Sequence, residues 1–114
     1  VFPGVTVEKG CYIEDSIIMS NSIIKSDSQI ICTIVGEKTT VGSNVKTGFG
    51  EYADNTFNPK VYQTNISVIG SNSVVPDNVT IGKNVVLDNY LTPEDFKDLD
   101  IPSGSALIKE GVAQ

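Results

Sequence analysis

The sequence predicts an all-β chain: a left-handed parallel β-helix of hexapeptide repeats, about four to five coils, with one mid-chain loop and a short C-terminal helix. Three observations carry that expectation. Aliphatic residues recur at every sixth position, as at Val75, Ile81 and Leu87. Three residues after the first two comes Asn (Asn78, Asn84), and four after comes Val (Val79, Val85). A period of six fits neither a helix nor a flat strand, whose side chains repeat at 3.6 and 2.0.

From the start of the chain, Val1, Val7 and Ile13 are six apart, and a five-residue step leads to Ile18. Six-residue steps then reach Ile24 and Ile30, five reach Val35 and six reach Val41. The unit is 6+6+5, a three-sided coil of seventeen residues. The corner position three residues after each aliphatic reads Gly4, Gly10, Ser16, Asn21, Asp27, Thr33, Lys38, Asn44, Asn72, Asn78 and Asn84. Gly, Asn and Asp prevail because a tight corner needs left-handed backbone angles. The next position reads Val5, Cys11, Ile17, Ser22, Ser28, Ile34, Thr39, Val45, Ser73, Val79 and Val85, and is expected to tuck inside the corner.

The whole chain, 1–114, is expected to form a single β-helix domain, with coils over 1–45. Over 46–67 the ruler fails. That stretch holds turn residues (Gly48, Gly50, Asp54, Asn55, Asn58, Pro59) and four of the eight aromatics (Phe49, Tyr52, Phe57, Tyr62). It reads as a surface excursion with its aromatics on a flank, or as a contact or effector site. Coils resume over 68–87. Residues 88–100 read as a loop and a short helix from Pro93 to Leu99, with Thr92 as cap, Pro93 at the first helical position, Asp95 at the third and Leu91 and Phe96 as a hydrophobic staple. Ile101 and Leu107 restore the six-residue step, so 101–114 is a terminal partial coil.

Composition narrows function. The chain is 39% hydrophobic and 19% charged, with net charge −6, and it has no His. All eight positive residues are Lys, so the basic, Arg-rich face of a nucleic-acid binder is missing. No run approaches a membrane span of roughly 18 apolar residues. The opening at Val1 reads as a piece of a longer, cytoplasmic protein. Without His, the acyltransferase and zinc-anhydrase chemistries found on other β-helices lose their central residue, and no metal site is expected. Cys11 falls in an inward column and Cys32 on another side, which predicts two reduced thiols. Glu14-Asp15, Glu94-Asp95 and Asp98-Asp100 read as solvated charge, and Gly48-Phe49-Gly50 is too short for a phosphate loop. Outward positions such as Lys9, Asp15, Lys25, Asp77 and Lys83 are charged and irregular, which argues against a free-standing β-helix with a flat binding surface.

The phrases V-F-P-G-V-T-V-E-K-G, D-S-I-I-M-S-N-S-I-I, V-I-G-S-N-S-V-V-P-D-N-V-T-I-G-K-N-V-V and I-P-S-G-S-A together resemble the C-terminal domain of bacterial glucose-1-phosphate adenylyltransferases. The resemblance spans nearly the whole chain, including the loop ending in Pro59-Lys60-Val61-Tyr62. It implies a regulatory and oligomerisation domain of a tetrameric enzyme of glycogen biosynthesis. That enzyme makes ADP-glucose and pyrophosphate from ATP and glucose 1-phosphate with Mg2+. Its catalytic residues belong to an N-terminal domain that this chain lacks, so no catalytic position and no cofactor carry over to this segment. The implied partners are that catalytic domain, further subunits of a homo- or hetero-oligomer and a small phosphorylated effector. Plant members carry an activator-binding Lys in V-I-K-D where V-I-G-S here places Gly70. Lys46 and Lys60, flanking the loop, are the candidate anion-binding residues. Alternatives of related build are the β-helix of another sugar-phosphate nucleotidyltransferase, a non-catalytic paralogue subunit and a translation-factor subunit.

Overall fold

A computed structural model describes residues 3–49, 66–96 and 99–107. Within them the chain winds as a parallel β-helix of about five turns. The first coil contributes strands β1 (Thr6–Val7), β2 (Tyr12–Glu14) and β3 (Ile17–Ile18). The second contributes β4 (Ile23–Ile24), β5 (Gln29–Ile31) and β6 (Thr33–Val35). The third has β7 (Thr40–Val41), β8 (Lys46–Thr47) and β9 (Ser67–Ile69); most of the excursion expected between the last two lies outside the described residues. The fourth has β10 (Val74–Val75), β11 (Thr80–Ile81) and β12 (Val86–Leu87). A 3-10 turn, Pro93–Asp95, then precedes β13 (Asp100–Ile101) and β14 (Ala106–Leu107).

Three parallel sheets result. The first runs β1-β4-β7-β10, the second β2-β5-β8-β11-β13 and the third β3-β6-β9-β12-β14. Register places the six-residue ruler in three vertical stacks. Val7, Ile24, Val41 and Val75 line the first sheet. Ile13, Ile30, Thr47, Ile81 and Ile101 line the second. Ile18, Val35, Ile69, Leu87 and Leu107 line the third. Most are fully buried and form one continuous core, because each coil covers the apolar side chains of the next.

The structure corrects the sequence reading at three places. On the five-residue sides the left-handed corner comes one residue early, at Asp15 (φ 49°) and Cys32 (φ 47°), not at Ser16 and Thr33. A side shortened by one residue must turn one residue sooner, so Ser16 and Thr33 become the tucked residues and Ile17 and Ile34 face outward. The coil also continues two residues into the expected loop. Thr47 takes an inward slot that an aliphatic ruler misses, its hydroxyl 2.7 Å from the Thr33 hydroxyl and accepting the Ile31 N–H at 3.2 Å. Finally, the C-terminal helix is one 3-10 turn that ends at Asp95, not Leu99. Thr92 N–H donates to the Asp95 carboxylate at 2.8 Å as the cap predicts. Winding stops because Phe96 turns away (φ −93°, ψ 89°) to bury its ring in the core with Leu91.

Small polar residues inside the corners are explained by their hydrogen bonds. Ser22 Oγ donates to the Gly36 carbonyl at 2.7 Å and accepts from Thr39 N–H at 3.2 Å. Ser28 joins the Gly42 carbonyl (2.7 Å) to Val45 N–H (3.1 Å) in the same way. Ser67 joins the Gly82 carbonyl (2.7 Å) to Val85 N–H (3.1 Å), and Ser73 joins the Asp88 carbonyl to Leu91 N–H. At a corner the strand ladder is interrupted, and a buried hydroxyl supplies the missing partner to both coils.

Outside the corners, side chains of one coil cap backbone N–H groups of the coil before it. Asp77 Oδ1 accepts from Ser43 N–H and Asn89 Oδ1 from Ser71 N–H, both at 2.8 Å. This close approach leaves no room at Gly42 or Gly70. A Cβ at Gly42 would lie 2.5 Å from Asp77 Oδ1, and one at Gly70 would lie 2.5 Å from both the nitrogen and Oδ1 of Asn89.

Candidate interaction surface

In a winding of this kind three of the five or six positions on each side are committed to folding: the inward aliphatic, the corner and the tucked residue. The outward strand residue is left free, and the three sheets use it differently. The second sheet presents Tyr12, Glu14, Gln29, Ile31, Lys46, Thr80 and Asp100, a face mostly polar and charged. The first presents Thr6, Ile23, Thr40 and Val74, alternating hydroxyl and aliphatic, with Glu8 and Lys25 beside them. The third presents Ile17, Ile34, Val68, Val86 and Ala106, an aliphatic residue in every coil.

Ile17 is 44% exposed, and the four residues above it are half-buried in their own stack. Met19, Gly36 and Gly70 follow the inward residues on this side, so its margin is also uncharged until Asp88. The charged residues expected outward (Lys9, Asp15, Lys25, Asp77, Lys83) lie at bends and corners instead of on the flats. The sequence trace of this face is a doubled aliphatic on the third side of each coil: Ile17-Ile18 and Ile34-Val35 at five-residue steps, then Val68-Ile69 and Val86-Leu87.

Lys46 is exposed on the second face, between Gln29 and Thr80 in register. Lys60 lies outside the described residues, as do Tyr52, Phe57 and Tyr62, so the two lysines are not placed relative to one another. Gly70 is buried against Asn89, and the place where plant relatives are expected to carry a lysine is filled here by the next coil. Cys11 and Cys32 are free and half-buried, Cys32 holding a left-handed corner (φ 47°) where the columns put an outward residue, and Cys11 Sγ lies 3.0 Å from the Lys25 carbonyl as its donor. Among the described residues no group of three or more His, Cys, Asp or Glu side chains gathers as metal ligands. No helix among them is long and apolar enough to cross a membrane. Tyr12 donates a hydrogen bond to Glu14, and that bond, followed by the negative charge of Glu14, pushes the exposed phenol above the ordinary tyrosine range.

A family described as "GMPPB C-terminal domain" matches residues 1–89. A glucose-1-phosphate adenylyltransferase of Acetivibrio thermocellus is 47% identical over 111 residues, 97% of this chain and 26% of that protein. Proteins of the same name from Fervidobacterium nodosum and Thermomicrobium roseum are 35% and 34% identical over 75% and 82% of this chain, and 21% and 22% of their own lengths. The chain therefore spans about a quarter or less of the length of these relatives. No solved structure matches it at a significant level.

Proposed function

The chain belongs to the GMPPB C-terminal domain family, and from that premise we propose that it serves as the C-terminal regulatory and assembly domain of a glucose-1-phosphate adenylyltransferase. The whole enzyme would join ATP and glucose 1-phosphate into ADP-glucose and pyrophosphate for glycogen biosynthesis. The observation that carries the reading is the near-complete alignment, 97% of this chain, to about a quarter of a protein with that name. A scaffold says little about chemistry by itself, so the alignment and not the winding supplies the substrate class.

This segment takes no part in the chemical step. It has no His and, among its described residues, no cluster of metal ligands, so Mg2+ and the nucleotide would be held by the remainder of the enzyme. Its partners are that catalytic domain and further subunits. A small phosphorylated effector, with Lys46 and Lys60 as its contacts, belongs to the same reading. The two free thiols suit a reducing, cytoplasmic setting.

The family description favours one second reading, the same type of domain on another sugar-phosphate nucleotidyltransferase. Expression of the chain together with its upstream reading frame separates the two. Formation of ADP-glucose from ATP and glucose 1-phosphate, faster by at least about tenfold than with other nucleoside triphosphates and sugar phosphates, supports the first. A reversed preference overturns it in favour of the second.

A further inference from the structure

We draw no further inference here: the strongest candidate, the aliphatic row on the outward face of the third sheet (Ile17, Ile34, Val68, Val86 and Ala106), belongs to the assembly role already proposed, and nothing in the structure shows what covers it.

Discussion

Replacing Ser28 by Ala removes one oxygen from the inside of a corner and leaves the rest of the packing in place. That oxygen donates to the Gly42 carbonyl at 2.7 Å and accepts from Val45 N–H at 3.1 Å. Ser28 has no exposed surface, so water cannot take over either bond. Two buried backbone groups each lose a partner, at roughly 1–3 kcal/mol apiece, and the expected loss is about 2–6 kcal/mol. For a chain of this size that corresponds to a fall in Tm of roughly 8–24 °C. Urea unfolding followed by far-UV circular dichroism measures it directly, provided the slope with denaturant is unchanged. Ser43→Ala is the control. Its hydroxyl is half-buried and meets Ser26 at 3.4 Å, so the change should stay within about 0.5 kcal/mol. A loss at Ser28 no larger than that of the control would refute the hydroxyl ladder as the reason for serine in the corners.

Other positions give sharper signs. Gly42→Ala must displace Asp77, which caps Ser43 N–H, and should cost about 1–3 kcal/mol in the same urea assay. Lys38 holds a left-handed corner (φ 53°) that suits Gly or Asn better, so Lys38→Gly should raise stability by up to about 1 kcal/mol, seen as a higher Tm. Ultraviolet titration should find Tyr12 ionising above the ordinary tyrosine range and Glu14→Gln bringing it back down. The sign follows from the raised value: the Tyr12–Glu14 contribution is complete below the unfolded phenol's range near pH 10 and is lost as pH rises through the folded value.

How much of this was legible in the sequence depended on what each column needs. Inward residues were readable because burial demands aliphatics and a fixed rise repeats them: Ile24, Val41 and Ile81 fall where the ruler puts them. Six-residue corners were readable because only a few residues accept φ near +60°, as at Asn21, Asn44 and Asn78. The five-residue corners were misplaced because Ser16 and Thr33 look like corner residues, while the structure turns at Asp15 and Cys32. Thr47 was missed because its hydroxyl is satisfied by Thr33 and Ile31, a partnership of residues 14 and 16 positions away. The aliphatic outward face of the third sheet was missed for a related reason. Shifting the tuck by one residue converts Ile17 and Ile34 from supposed corner fillers into outward side chains.

That shift also decides how the face should be weighed. An aliphatic residue at Ile18 or Val35 says only that a core exists, since any winding of this kind would demand it there. At Ile17, Ile34, Val68 and Val86 the winding makes no such demand, and the second sheet fills the same slot with Gln29, Lys46 and Thr80. Exposed aliphatic surface gains nothing for an isolated coil, and an unbroken row of it invites association. Five coils repeat that choice on the third side, while Glu14, Lys46 and Asp100 put charge on the strands of the second.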